Sequence, residues 1–264
     1  MKIYHIVSNK EWGGGEQYVY DLSRRQMADG YDVGLFCRPV EKVAERFRWM
    51  GMPMRMLPLK GVLDMKSAWL MARVLKGTAI VHCHNFKDAF TAAYARRLTG
   101  GSGVRVIMSR HLTRKGKNTL PYRWLYGQLD WLNFDSEIAR DEFYSTGPAM
   151  DRDRTGIIRT SILLPESVEP IDLRGRYGIG RDEVIAMFHG RLDPEKGLDT
   201  LLDAMAMLRA RPLRLVLVGR GQEEYTRHLK QKIGTLQLQD RVVMAGFCDP
   251  LLSYVAAADF GILP

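Results

Sequence analysis

Two cations in one short loop, Arg191 and Lys196, are the residues whose types and spacing most plainly suggest chemistry. They fall in His189-Gly190-Arg191-Leu192-Asp193-Pro194-Glu195-Lys196-Gly197. An apolar run with the length of a buried strand, Val184 to Phe188, precedes the loop. Leu198, Leu201, Leu202, Met205 and Leu208 follow it at helical spacing. Strand, polar loop, helix is where open α/β sheets collect ligands, because unsatisfied backbone N–H groups and the positive helix end meet there. A guanidinium fork and an ammonium point charge suit an anion, phosphate above all. Taken without their context, the two would be a solvated pair on a surface loop.

Other residues invite the same question. Trp12-Gly13-Gly14-Gly15-Glu16-Gln17 follows an apolar start, Lys2 to Ser8, and precedes a helical pattern through Tyr20, Leu22 and Met27. Glycines without Cβ atoms let backbone come close to a phosphate, and Gly14 and Gly15 are the candidates. The loop is not the dinucleotide fingerprint, since no third glycine stands at its place. A tight turn without a ligand is the plainer alternative. Gly219-Arg220-Gly221 forms a second such turn after the strand Leu213 to Val218. His82 and His84 close the strand Ala79 to His84 on one face, and Cys83 points to the other. No second ligand pair stands at metal spacing, so no metal is expected. His111 lies at the tip of the strand Val104 to Ser109, as a hydrogen-bond donor or a structural histidine.

Gly190-Arg191-Leu192-x-x-Glu195-Lys196-Gly197 resembles the donor-site motif of family 4 glycosyltransferases. That resemblance implies an α/β, GT-B-like fold, with two Rossmann-like domains of mainly parallel sheets facing a cleft, the second incomplete. It implies transfer of a sugar, of the hexosyl type, from a nucleotide-sugar to a glycan or lipid-linked acceptor, as in making cell-surface polysaccharide or glycolipid. Retention of configuration, no metal and no cofactor beyond the nucleotide-sugar are implied as well. The catalytic residues carried over are His111, on the sugar or its phosphate, and Arg191 and Lys196, on the diphosphate. Gly14, Gly15, Gly190, Gly219 and Gly221 join them at the donor. Arg241 to Phe247 is similar to the strand before the nucleobase loop, which adds backbone near Phe247 and Cys248. Ser136 stands where the family has a serine, and His-x-His is frequent at residues 82–84. There are departures. The glycine loop has a third glycine, Ile157 to Ile162 lacks the family's Asn-Gly pair, and Arg220 replaces an acid. The family's Glu-x7-Glu donor segment is absent. The chain is therefore expected to be a shortened family member, about two-thirds of the usual length.

The linker is Pro165, Glu166, Ser167, Glu169 and Pro170. It divides the chain into an acceptor-side domain, 1–163, and a partial donor-nucleotide-binding domain, 164–264. Strands and helices alternate in the second half, the mark of βαβ units. No apolar run approaches the ~18–20 residues that cross a bilayer. Three cysteines far apart, Cys37, Cys83 and Cys248, argue against a disulfide framework and for a reducing cytoplasm. The net charge is +9, and no carboxylate stands between Asp88 and Asp130. Arg96, Arg97, Arg105, Arg110, Arg114, Lys115, Lys117 and Arg123 fall there, beside Tyr122, Trp124 and Tyr126. Basic side chains among aromatics suit an anionic headgroup layer, which would place stretch 96–126 at the inner face of the membrane. A solvated basic face competes evenly with that. No RNP, KH or zinc-finger pattern supports nucleic acid. Two other functions remain: a non-catalytic fragment docked on a membrane or partner, and a Rossmann oxidoreductase, which lacks the fingerprint and the ribose-binding acid.

Overall fold

Lys-Ile-Tyr-His-Ile-Val forms β1 (Lys2–Val7), buried along nearly its whole length, as a strand covered on both faces must be. The computed structural model describes every residue except 76, 101–102 and 162–164. Contacts divide the chain into two units, Met1–Leu163 and Leu164–Pro264. The expected division at 163/164, and Ile162 of the missing Asn-Gly position, lie outside the described residues.

In the first unit β2 (Asp32–Cys37), β3 (Met54–Met56), β4 (Ala79–Cys83), β5 (Val104–Arg110), β6 (Trp131–Phe134) and β7 (Thr155–Ile157) join β1. Their order is β3-β2-β1-β4-β5-β6-β7, all parallel. The order reverses between β1 and β4, whose register pairs His5 with His82. Side-chain alternation separates two cores. Tyr4, Ile6, Val81, Cys83, Val106 and Met108 pack on one face with α3 (Met65–Val74), α4 (Phe86–Leu98), α5 (Leu120–Gln128) and α6 (Glu137–Tyr144). Val7, Val33, Leu35 and Cys37 pack on the other with α1 (Gly14–Ala28) and α2 (Glu41–Trp49). Asn85 caps α4 and Ser136 caps α6 through their side chains.

Two elements differ from the sequence expectation. Nothing was expected at 86–98, yet α4 lies there with seven residues buried. The spacing of Trp124, Leu125, Leu129 and Leu132 predicts a helix over 122–132, but α5 stops at Gln128, where Leu129 turns extended and the chain enters β6.

The second unit carries α7 (Leu173–Tyr177), β8 (Val184–His189), α8 (Leu198–Met207), β9 (Leu213–Val218), α9 (Glu223–Thr235), β10 (Val242–Gly246), α10 (Leu251–Ala256) and β11 (Phe260–Gly261). The sheet order is β10-β9-β8-β11, again parallel. Ala186, Phe188, Leu215 and Leu217 pack under α8 and α9; Ile185, Met187, Val216 and Val218 pack on the opposite face. Here the order reverses at β8, the strand that leads into the Arg191 loop.

Candidate functional site

In the first unit a polar row crosses one sheet face at the C-terminal ends of β1, β4 and β5. Parity places it: His5, His82 and Ser109 alternate with core residues on neighbouring strands, and His84 and His111 extend the row beyond the strand ends. Cys83 belongs to the opposite core, as alternation requires. His5 Nε2 lies 2.8 Å from Gln26 Oε1 on α1. His5 Nδ1 lies 3.1 Å from His84 Nε2. His84 Nδ1 faces His111 Nε2 at 3.4 Å, and His111 Nδ1 faces Asp135 Oδ1 at 3.3 Å. His82 Nε2 meets Ser109 Oγ at 2.9 Å. Tyr18 packs against His111 with the rings tilted by 58° and centroids 4.5 Å apart. Burial drives the imidazoles toward the neutral form. It takes His5 down to about 4 against the opposing hydrogen bond of Gln26. His82 and His84 fall well below the ordinary histidine value, first by burial and then by the charges of neighbouring histidines. The sequence singled out His82, His84 and His111; it missed His5 and Gln26. The signal for His5 was its place on the inward parity of β1, where a polar residue needs a partner.

The glycine loop enters α1. Gly13 is the N-cap, and Glu16 reaches back to its N–H at 3.0 Å while accepting from Asn9. A Cβ on Gly14 or Gly15 would meet nothing within 4 Å. These two positions are thus open above a helix start, and the protein's own packing does not demand glycine there.

In the second unit Arg191 and Lys196 are both exposed in one loop between β8 and α8. Arg191 Nε pairs with Asp193 Oδ2 at 3.1 Å. Gly190 and Gly219 hold φ of +150° and +145°, conformations that L side chains rarely adopt. Their backbones touch: a Cβ on Gly219 would lie 1.8 Å from Gly190 O, and one on Gly221 2.0 Å from Leu192 O. The N–H of Gly190 donates to Val218 O, that of Leu192 to Arg220 O, and that of Gly219 to Gly246 O. The second glycine turn, read as a way for backbone to approach a ligand, lets two protein turns approach each other. Phe247 is half exposed at the end of β10, with the Arg220 guanidinium 5.2 Å from its ring centroid. Cys248 is buried beneath, its Sγ near Ala245 O and Gly246 O.

The basic stretch 96–126 divides. Tyr126 is fully buried, and Trp124 stacks on Tyr94 at 5.1 Å. These aromatics are core rather than lipid-facing, which corrects half of the headgroup argument. Arg96 and Arg105 pair with Asp130, both at 2.8 Å. Arg110 is buried, donating to Leu112 O and Arg114 O. Arg114, Lys115, Lys117 and Arg123 stay exposed beside exposed Leu112 and Leu120. Among the described residues no helix is long and apolar enough to cross a membrane.

Two parallel sheets flanked by helices, each with a polar loop cluster at its carboxyl edge, define an α/β protein of the Rossmann-like class. The profile of Glycosyltransferase Family 4 matches residues 12–159, more than half of the chain, and that of Glycosyl transferases group 1 matches 183–264. The chain belongs to Glycosyltransferase Family 4. EpsD of Bacillus subtilis is 28% identical over 199 residues, 69% of this chain and 51% of its own. A GDP-mannose-dependent phosphatidylinositol monomannoside mannosyltransferase of Mycobacterium tuberculosis is 31% identical over 179 residues, 64% of this chain and 45% of its own. The chain thus spans about half the length of these curated relatives. HepE of Anabaena, crystallised with UDP and glucose, superposes with a TM-score of 0.82 at 17% identity, over 99% of this chain and 73% of its own. The fold is of the GT-B type.

Proposed function

We propose that this protein moves a hexose from a nucleotide-sugar to a glycan or lipid-linked acceptor, with retention of configuration, in building a cell-surface polysaccharide or glycolipid. The observation that carries the proposal is the placing of Arg191 and Lys196 in one exposed loop at the carboxyl end of β8, ahead of α8. The leaving diphosphate gains charge as the glycosidic bond breaks, and fixed cations aimed at it lower that barrier. In this reading they supply the counter-charge at the diphosphate without a metal ion there. Arg191 exchanges its Asp193 partner for phosphate oxygens. Support for a nucleotide comes from the next two strand ends. The loops after β8, β9 and β10 stand side by side at the ~4.8 Å spacing of strands. They offer, in that order, the cation pair, Arg220 and the exposed Phe247 ring. A diphosphate, a ribose and a stacked base fit that sequence of surfaces. HepE binds UDP and the mycobacterial relative uses GDP-mannose, which sets the nucleotides to try. His111 is assigned a hydrogen bond to the transferred sugar, and Gly14 and Gly15 the approach of a phosphate or acceptor group. Arg114, Lys115, Lys117 and Arg123 are assigned an anionic membrane surface at its inner face.

Isothermal titration of the chain with UDP, GDP and ADP tests the donor site. One of the three binds, and Arg191→Ala and Lys196→Ala each weaken it about tenfold, close to 1.4 kcal/mol. Unchanged affinity in both variants removes the assigned roles.

A further inference from the structure

Counted with one N–H per imidazole, the polar row of the first unit is one proton short. Gln26, His5, His84, His111 and Asp135 make a string of four contacts, 2.8, 3.1, 3.4 and 3.3 Å long. Both ends, an amide oxygen and a carboxylate, are acceptors, and three imidazoles with one N–H each bring three protons to four gaps. Follow the string inward from each end. His111 Nδ1–H donates to Asp135, so His111 Nε2 accepts from His84 Nδ1–H, and His84 Nε2 is left with a lone pair. His5 Nε2–H donates to Gln26, so His5 Nδ1 also holds a lone pair. The two lone pairs face each other across the 3.1 Å gap. With one N–H per ring and both ends accepting, a cation between the two lone pairs removes the conflict.

A third imidazole reaches the same place. One ring nitrogen of each of His5, His82 and His84 lies within 4.8 Å of the others. His82 Nε2 lies 2.9 Å from Ser109 Oγ, and with the proton on that nitrogen the second nitrogen carries the lone pair. Each ring therefore has one nitrogen held by an acceptor: an amide, a hydroxyl, or an imidazole backed by a carboxylate. That pattern sets the tautomer and orientation of metal-ligating histidines. We propose that His5, His82 and His84 bind one divalent transition-metal ion of the zinc class, leaving a coordination position for water or a substrate oxygen. Tetrahedral nitrogens at ~2.0–2.1 Å from zinc stand ~3.3 Å apart, so the His5–His84 pair is already near that spacing and modest χ rotation closes the rest. All-imidazole ligation favours zinc, copper or nickel over magnesium or calcium, which want oxygen. Two ligands sit on adjacent strands in direct register and the third one residue past β4, so the sheet itself fixes their spacing. The site lies within the first unit and shares no residue with the donor loop of the second; either assignment can fail without the other.

The untagged chain, stripped with a chelator and dialysed, is titrated with Co²⁺ and then Zn²⁺. The expected result is one equivalent of Co²⁺ with the visible ligand-field bands of a tetrahedral site, bleached by Zn²⁺. His5→Asn, His82→Asn and His84→Asn each lose the bands, Gln26→Ala weakens affinity about tenfold at the same stoichiometry, and Cys83→Ala leaves both unchanged. Circular dichroism reports whether each variant folds. Should the unaltered chain show no bands with excess Co²⁺, or should the folded histidine variants bind as tightly, the site is overturned and the fourth proton comes from a Gln26 amide turned to donate or from a second N–H on one imidazole.

Discussion

Asp88 is buried in the first turn of α4, where Ser8 Oγ donates to it at 2.9 Å and Asn85 Nδ2 at 2.6 Å. Burial pushes its carboxyl up to about 6, opposed by the Ser8 and Asn85 bonds and the Lys87 charge, and aided by Glu16. The folded form therefore holds more protons than the unfolded one between about pH 4 and 6, and stability falls as pH rises through that window. The fall attributable to this group is up to about 3 kcal/mol, from roughly two pKa units. Asp88→Asn should be less pH-dependent by that amount; urea unfolding of both proteins from pH 4 to 7 measures the difference, and parallel curves defeat the assignment. At this scale the sequence exposed residues whose meaning is local. Arg191 and Lys196 share their loop, and His82 shares a face that Cys83 does not, because spacing in one segment decides both. His5 escaped since its partner His84 lies 79 positions away, a contact made by strand pairing. Arg220, which departs from the family's acid, gained a partner only through the neighbouring strand end, where Phe247 lies under it.

Among the elements, glycines with the same name do different work. Gly219→Ala would drive a methyl into Gly190 O and hold alanine at φ +145°. A loss of about 3 kcal/mol or more, or failure to fold, is expected. Gly14→Ala at the start of α1 meets open space, so stability should hold or rise by up to about 1 kcal/mol. If Gly14 borders a ligand, that variant keeps its melting temperature while sugar transfer slows; thermal unfolding and turnover measured together separate the two. Gly14→Ala melting far below the parent chain would contradict the open geometry. Helix α4 shows what periodicity leaves out. Ala89, Ala92, Ala93 and Ala95 are buried along with Phe90 and Thr91, so small residues face protein on several sides and no single apolar stripe forms. Helix α2 was legible as amphipathic, and it turns Phe47 inward while leaving Trp49 82% exposed.

For the molecule as a whole, alternation of strands and helices was enough to foretell parallel sheets, since parallel strands require crossovers. It did not give strand order, which depends on pairings between distant segments. The charge excess was legible too, but two of its aromatic companions were misplaced: Trp124 and Tyr126 satisfy the core, while the exposed cations keep Leu112, Leu120 and the Tyr122 ring, 5.0 Å from Lys117 Nζ, beside them. The membrane assignment therefore rests on charge. Sedimentation with vesicles of anionic lipid should bring down the chain at low salt, and Arg114→Glu with Lys117→Glu should cut the bound fraction severalfold. Binding that ignores salt, or survives the reversal, ends that assignment.

The turns after β8, β9 and β10 are tied to one another by main-chain bonds, Gly190 to Val218, Leu192 to Arg220, Gly219 to Gly246. They cannot be ordered one at a time. In the proposed donor site, a pyrophosphate that quiets the first turn would also steady the aromatic surface two strands away, so part of the entropy a nucleoside would lose there would already be spent. Nucleoside and pyrophosphate offered as separate molecules should then tighten each other's hold, a synergy arising from shared stiffness rather than from any touch between them.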